Sequence, residues 1–329
     1  MSMACAAGPR TFGTLLSART TNNPGRADDR TNRLRQGRTM AGVRDIVPGG
    51  IIDARSRPPI KAFIEDRTYT NLPRTLGNVA ARGWTITPAM RQADLDGYLA
   101  EVREAGIVLA GVPARVPNRW WGGKGNDPVF EAEEQNPDLF YVYAAVDPMK
   151  EDAAGSVQPL VDRGARGIVL EPGICDTPTY VDDPIINPVY EACVAAGVPA
   201  LVMGGGETGP DLSFSDPARI DRVAVRFPEL TVVNVHGGWP HAQAALGVAF
   251  RRANVWMLPD VYFPGLPGEV DYVKGIATFL QDRFLFATGY PFCPIQETID
   301  RYLGFGLSDE VLDKVMRRNA LRLFRLDES

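Results

Sequence analysis

The sequence has few histidines, no paired cysteines and no long apolar segment, and each absence excludes a class of protein. Two histidines in 329 residues exclude a zinc site built from several histidine ligands. The four cysteines, Cys5, Cys175, Cys193 and Cys293, show no paired spacing, which indicates free thiols in a reducing, cytoplasmic compartment. No segment approaches the roughly 18–20 apolar residues of a membrane-spanning helix. The composition is that of a globular protein.

The charge of the chain is unevenly distributed. Residues 1–39 contain seven Arg, two Asp and no Lys, which gives +5; the whole chain carries −5, so residues 40–329 carry −10. This acidic body offers no nucleic-acid-binding face. The Arg-rich head resembles a targeting segment, but its apolar part, FGTLLSA, is too short for a secretory signal, and Met40 offers another start. We therefore expect residues 1–39 to be a disordered or mis-assigned extension of a single domain, residues 40–329.

From residue 49 onward, short apolar runs rich in β-branched residues alternate with helical patterns such as DLDGYLAEVREA, PARIDRVAVRF and AQAALGVAFRRA. Strands that alternate with helices predict a parallel sheet, and eight units in about 260 residues match a closed (β/α)₈ TIM barrel. The eight predicted strands are GGIID (49–53), GIVLAGV (106–112), FYVYAAVD (140–147), GIVLEPG (167–173), PALVMGG (199–205), LTVVNVHGG (230–238), NVWMLPDVY (254–262) and RFLFATGYP (283–291).

The barrel prediction indicates where to look for chemistry. A doubly wound open sheet is the main alternative, but no GxGxxG motif opens the first helix. In a barrel the active site lies at the carboxyl ends of the strands. The first run leads into Asp53, Arg55 and Arg57 at alternate positions, which places three charges on one face. Burying a charge inside a fold carries a desolvation cost unless the charge is paired with an opposite charge or binds a ligand.

Several motifs resemble those of the amidohydrolase-related family that includes aminocarboxymuconate-semialdehyde decarboxylase and pyrone-dicarboxylate lactonase. The resemblance covers roughly residues 50–326 and implies the same barrel. IIDARSR stands where the family reads IDxHxH, and FLFATGYPF stands where it commonly reads GSDYP. The other motifs are AAVDP after the third strand, VVNVHGGWP at the sixth and the closing helix VMRRNALRLFRL.

The resemblance implies a metal centre made of the two HxH histidines, a histidine that ends the fifth strand and the SDYP aspartate. The matching residues here are Arg55, Arg57, Met203 and Gly289, so all four ligands are missing. Arginine is always protonated and has no lone pair for a metal. We therefore predict a protein with no metal and no cofactor, in which two guanidinium groups keep the barrel mouth positive.

Three residues at strand ends are candidates for proton transfer. His236 follows the sixth run beside two glycines and matches a position that the resemblance assigns to a catalytic acid or base; a histidine packed at the rim is the alternative. Asp260 ends the seventh run, with a loop cap as its alternative. Glu171 ends the fourth run and either serves as a base or pairs with an arginine. His241 is expected on the surface.

The two arginines after the first run admit two interpretations. Arg55 and Arg57 could hold a substrate carboxylate or a developing oxyanion, because a guanidinium binds either one at two points. They could instead form a structural ion network with Asp53 and Glu171. Apolar residues would replace buried metal ligands at a lower desolvation cost, so we favour substrate binding.

The loop after the second run and one tyrosine complete the candidate substrate-binding residues. The segment NRWWGGKG (118–125) brings Arg119, Trp120 and Trp121 together on a glycine-rich loop. We expect a lid that stacks on a flat anionic ring, with a subunit interface as the alternative. Tyr290 could donate a phenolic hydrogen bond.

These residues predict an enzyme that acts on a small anionic organic substrate, with no nucleic acid or membrane as partner and with homo-oligomer formation left open. Metal-independent hydrolysis of a carboxylate-bearing lactone or related ring is the leading interpretation. Decarboxylation or a related lyase reaction on an unsaturated or aromatic acid is the second. A non-catalytic protein that binds a small acid or a partner is the third.

Overall fold

Seven parallel strands form one sheet, and each strand is hydrogen-bonded to the next in chain order. This is a computed structural model that describes residues 40–326. The predicted N-terminal extension, residues 1–39, and Cys5 within it therefore lie outside the described residues. The strands are β1 (Ile51–Asp53), β2 (Ile107–Pro113), β3 (Phe140–Ala145), β4 (Ile168–Leu170), β5 (Ala200–Met203), β6 (Val232–Val235) and β7 (Val255–Leu258). This order is that of the predicted TIM barrel, and the first seven predicted strands are confirmed.

The eighth predicted strand closes the barrel without forming a regular strand. Its residue Phe284 makes an isolated parallel bridge to Met257 of β7. On its other side, the N–H of Ala54 donates to the Phe286 carbonyl at 2.9 Å, and the N–H of Gly289 donates to the Arg55 carbonyl at 2.9 Å. The segment therefore joins β7 to β1, although a continuous ladder of hydrogen bonds does not form.

Helices occupy the connections between the strands, as the alternating pattern predicts. They are α1 (Met40–Ile46), α2 (Arg67–Thr70), α3 (Leu72–Ala81), α4 (Pro88–Gln92), α5 (Leu95–Glu104), α6 (Asp127–Gln135), α7 (Val157–Asp162), α8 (Asn187–Ala196), α9 (Pro217–Arg226), α10 (Ala242–Arg251), α11 (Glu269–Gly275), α12 (Ile295–Leu303), α13 (Asp309–Asp313) and α14 (Asn319–Phe324). Local sequence explains their ends. The Asp216 side chain caps α9 by accepting from the Ala218 N–H, and Gly197 ends α8 in the left-handed conformation.

Strands β3, β5, β6 and β7 are buried on both faces, as expected for a parallel sheet covered by helices. Cys175, Cys193 and Cys293 are buried free thiols, which confirms the prediction for these three. Among the described helices, none has both the length and the apolar character required to cross a membrane.

Candidate active site

A cavity of about 380 Å³ lies at the carboxyl ends of the strands, where barrel active sites are found. Residues that follow the strands line it: Arg55 and Arg57 after β1, Glu171 after β4, His236 after β6 and Tyr262 after β7. Other lining residues include Thr68, Arg74, Arg82, Arg115, Trp121, Met203, Glu207, Trp239 and Phe292. Five of the lining residues are arginines and two are glutamates, so the lining carries a net positive charge.

His236 and Asp260 form a hydrogen-bonded pair, with 2.8 Å between His236 Nδ1 and Asp260 Oδ1. Each residue begins a short 3₁₀ turn directly after its strand or one residue later. Their φ angles are +65° and +37°, in the left-handed region that side chains with a Cβ rarely adopt. Backbone strain of this kind is concentrated at functional sites, and here it points both side chains at one another.

The charges around this pair determine its proton arrangement. Burial and the Arg55 and Arg57 charges lower the pKa of His236 from 6.5 despite Asp260. Burial opposes ionisation of Asp260, but His236 and Arg55 outweigh it and lower the pKa of that carboxyl. At neutral pH a neutral imidazole therefore meets a carboxylate, which can only accept, so Nδ1 carries the proton. The other nitrogen, Nε2, has a free lone pair, and the His236 side chain lines the cavity with 13% of its surface exposed.

Arg55 contacts the other oxygen of the same carboxylate. Its Nη1 lies 2.7 Å from Asp260 Oδ2, and both side chains are almost fully buried. The remaining groups, Nε and Nη2, are buried without a hydrogen-bond partner in the described structure. Arg55 therefore lines the cavity while two of its guanidinium nitrogens are unpaired among the described residues.

Arg57 belongs to a second cluster with Glu171, Arg115 and Asp66. Glu171 accepts from Arg115 Nε at 3.0 Å and from Arg115 Nη2 at 3.2 Å, whereas Arg57 Nη2 lies 3.7 Å from Glu171 Oε1. Arg115 Nη1 also contacts Asp66 Oδ2 at 3.4 Å. Burial, then the Arg115 and Arg55 charges, lowers the pKa of Arg57 well below its ordinary value. Arg57 therefore has the least compensated charge of the three buried arginines that line the cavity.

The pairing of Glu171 disfavours the base role that we predicted for it. Burial opposes ionisation, but the charges of Arg115 and Arg57 lower the pKa of Glu171 to about 2. Both carboxylate oxygens accept hydrogen bonds from Arg115. A carboxylate this acidic and this occupied is a weak base, so its place in the site is to hold arginines.

Asp53 does not pair with the side chain of either arginine, which corrects that part of the ion-network alternative. Its carboxylate accepts from the Thr288 N–H at 3.0 Å, from the Thr288 hydroxyl and from the Arg55 N–H at 3.1 Å. Burial raises the pKa of Asp53 to about 7. Asp53 therefore ties the barrel-closing segment to β1 and lies behind the cavity.

Aromatic side chains form part of the cavity wall, but fewer of the predicted ones than expected. Trp121 lines the cavity, whereas Arg119 and Trp120 are exposed and contact each other at 5.3 Å outside it. Tyr290 is buried against Tyr98 and does not line the cavity. The structure therefore does not bring Arg119, Trp120 and Tyr290 together with the other candidates.

Sequence reasoning missed other lining residues. Arg115 stands two residues beyond β2, so a charge just past an apolar run was the available signal. Tyr262 stacks on Trp239, with ring centroids 5.2 Å apart, and meets the His236 ring edge-on at 5.0 Å. Arg74 lies on α3 and Glu207 lies in the loop after β5. They are far apart in the chain, and no local pattern predicted their contact.

Comparison with known proteins identifies the family. A family model described as amidohydrolase matches residues 60–326. The chain belongs to the amidohydrolase family. A search of curated proteins finds no significant match.

Solved structures share the amidohydrolase barrel. An uncharacterised TIM-barrel protein from Bordetella bronchiseptica is 35% identical with a TM-score of 0.80, over 84% of this chain and 98% of that one. The 5-carboxyvanillate decarboxylase from Sphingomonas paucimobilis is 17% identical, with a TM-score of 0.60 over 84% and 99%. A probable 2-pyrone-4,6-dicarboxylic acid hydrolase from Acinetobacter baumannii is 12% identical, with a TM-score of 0.51 over 70% and 88%. The last two show the fold alone, in which both decarboxylase and hydrolase activities occur.

The residues present do not fit the metal centre that the family implies. At the four ligand positions stand Arg55, Arg57, Met203 and Gly289, and none of these side chains is a metal-ligating His, Cys, Asp or Glu. The Asp260 carboxylate, which also lies at this end of the barrel, is occupied by the Arg55 guanidinium at 2.7 Å. Within residues 40–326, no group of three or more His, Cys, Asp or Glu could hold a metal ion. Function without a metal stays a prediction, and it now rests on the lack of metal-binding side chains at these four positions.

Proposed function

We propose that this amidohydrolase-family protein is a metal-independent hydrolase that opens a small carboxylate-bearing lactone or related ring. The observation that carries the proposal is the His236–Asp260 pair beside Arg55. An ionised Asp260 accepts the hydrogen bond from His236 Nδ1, with 2.8 Å between Nδ1 and Oδ1, and leaves the Nε2 lone pair free in a cavity rich in arginine. A positioned imidazole of this kind is a general base for water.

The reaction follows from this arrangement. His236 Nε2 takes a proton from water as the water oxygen bonds to the lactone carbonyl carbon. Asp260 stabilises the imidazolium that forms, without taking its proton. The ring C–O bond then breaks, and the leaving oxygen takes the proton back from Nε2. Water is thereby divided between the new carboxylic acid and the new hydroxyl, and no oxidant or metal is needed.

The arginines supply the charge stabilisation. The buried Nε and Nη2 groups of Arg55 and Arg57 have no hydrogen-bond partner in the described structure. At a buried position such donors stabilise the tetrahedral oxyanion and hold the substrate carboxylate. Their desolvation is already complete in the folded protein, so they need little reorganisation during the reaction.

The proton arrangement favours hydrolysis over decarboxylation. A decarboxylase must deliver a proton to the carbanion that remains after carbon dioxide leaves. The lowered pKa of His236 leaves the imidazole neutral at pH 7, with its proton directed at Asp260 and none on Nε2. The resting site therefore holds a base rather than an acid.

A substrate panel tests the proposal. Chelator-treated protein is incubated with lactones and unsaturated or aromatic carboxylic acids, and ring opening and carbon dioxide release are followed separately. We expect ring opening of at least one carboxylate-bearing lactone and no carbon dioxide. Carbon dioxide release without ring opening would support the lyase alternative, and turnover of neither class would support a non-catalytic binder.

A further inference from the structure

An ion pair between Arg74 and Glu207 crosses the cavity opening. Arg74 lies on α3, Glu207 lies in the loop between β5 and α9, and both line the cavity. Their side chains are 32% and 52% exposed, whereas Arg55 and Arg57 deeper in the cavity are 5% exposed or less. The pair therefore lies at the solvent end of the cavity, which an entering ligand passes.

The two ends of this pair are held differently. The Glu207 backbone N–H donates to the Tyr262 hydroxyl at 3.2 Å, and Tyr262 in turn packs on Trp239 and on the edge of His236. The Glu207 carboxylate reaches over to Arg74, its ion-pair partner among the described residues. The Arg74 guanidinium also lies 5.7 Å above the Trp121 ring. Arg74 is thus positioned by an aromatic surface as well as by Glu207.

We propose that Glu207 is an internal competitor for Arg74, and that an anionic group of the ligand displaces it on entry. This inference rests on the proposed function only in taking the ligand to be an anion. In the free protein Glu207 occupies the Arg74 guanidinium at the solvent end of the cavity. When a ligand carboxylate arrives, Arg74 exchanges one carboxylate for another, while Glu207 turns into solvent. Glu207 therefore lowers the affinity for anions, and Arg74 raises it.

The energetic argument sets the size of the effect. A half-exposed ion pair contributes at most about 1 kcal/mol, so removing the competing charge should tighten anion binding by about threefold to fivefold. Removing Arg74 deletes a charged hydrogen bond to the ligand, worth about tenfold or more, but it also removes the ion pair that the ligand must displace, so binding should weaken by about twofold or more. A neutral diamide of the same shape carries no charge for Arg74 to pair with or for Glu207 to compete with, so its affinity should change much less in both variants.

Calorimetric titration of the full-length protein with benzene-1,3-dicarboxylate, a flat dianion that cannot be hydrolysed, tests the inference. Benzene-1,3-dicarboxamide serves as the neutral control of the same shape. We compare wild type, Glu207→Gln, Arg74→Gln and the double variant. Arg67→Gln is the matched control, since Arg67 also lies over Trp121, at 5.5 Å, but does not line the cavity.

We expect Glu207→Gln to bind the dianion three- to fivefold more tightly, and to change affinity little when Arg74 is already Gln. Unchanged or weaker binding by Glu207→Gln would overturn the inference, and so would an equal shift for the diamide. An Arg67→Gln loss as large as that of Arg74→Gln, or no binding by wild type and Glu207→Gln alike, would also overturn it. If lactones are opened but the affinity for the dianion is the same in wild type and Glu207→Gln, only this inference fails. If Glu207→Gln binds the dianion more tightly but no lactone is opened, only the proposed hydrolase function fails.

Discussion

Replacing Arg57 by Met should leave the protein as stable as wild type or make it more stable, although the side chain is buried. The structure gives Arg57 one weak ion contact, 3.7 Å from Glu171, and a position 5.7 Å from the Phe63 ring. Glu171 keeps both hydrogen bonds from Arg115 when Arg57 is removed, so no buried carboxylate is orphaned. The variant loses about 1 kcal/mol of cation–π attraction. The variant no longer buries a positive charge among like charges, which raises the free energy of unfolding by about 1–4 kcal/mol.

Arg55→Met provides the contrast. Arg55 and Asp260 form a close pair at 2.7 Å with both side chains buried, and removing one partner leaves the other charge uncompensated. Breaking a buried pair in this way costs about 3–5 kcal/mol. The two variants remove the same charge two residues apart, yet the unfolding free energy should fall in Arg55→Met and stay constant or rise in Arg57→Met.

Urea denaturation followed by tryptophan fluorescence measures both changes. The denaturant slope should stay constant, so the difference appears in the transition midpoint. Binding of benzene-1,3-dicarboxylate should fall in both variants, because each removes a donor from the cavity. If Arg57→Met were destabilised by several kcal/mol, as Arg55→Met is expected to be, the description of Arg57 as a weakly compensated charge would fail. If Arg57→Met bound the dicarboxylate as tightly as wild type, the substrate-binding argument for Arg57 would fail.

Two further predictions concern protons. In an NMR titration of the imidazole groups, His236 should titrate below 6.5, and Arg55→Met should raise its pKa, since the cation leaves while Asp260 remains; an unchanged or lower value would refute the electrostatic account. The folded chain holds the Asp53 proton more tightly than the unfolded chain, with a pKa of about 7 against 3.8, so the stability it contributes is complete below about pH 4 and is lost as pH rises through about 7. Asp53→Asn should remove this decline, and a denaturation profile between pH 4 and 8 that keeps the wild-type shape would contradict the assignment.

The fold could be predicted from the sequence because its signals are local and repeated. Apolar runs and amphipathic segments alternate, and seven of the eight runs form strands. The eighth does not form a regular ladder, because the Phe286 N–H donates to the Val315 carbonyl at 3.0 Å, near the closing helices, rather than to a neighbouring strand. Nothing within RFLFATGYP shows this long-range competition for one hydrogen bond.

The site was predictable in its strand-end residues and not in their pairing. The position of His236, Asp260 and Arg55 at strand ends follows from the barrel, and the structure brings them together. The partner of Arg55 is 205 residues away, whereas the neighbouring Asp53 bonds to the barrel-closing segment instead. Loop residues were least predictable, since sequence proximity placed Trp120 beside Trp121 and only the latter lines the cavity.

The most direct test of the central claim compares two histidine variants on the lactone that the panel identifies. His236→Asn removes the proposed base, and His241→Asn removes the exposed histidine that precedes α10 and serves as the matched control. With chelator-treated protein, the account predicts that kcat/KM falls about 10²- to 10⁴-fold in His236→Asn and stays unchanged in His241→Asn. Full turnover by His236→Asn, or turnover that appears in the wild type only after a divalent metal is added, would contradict it.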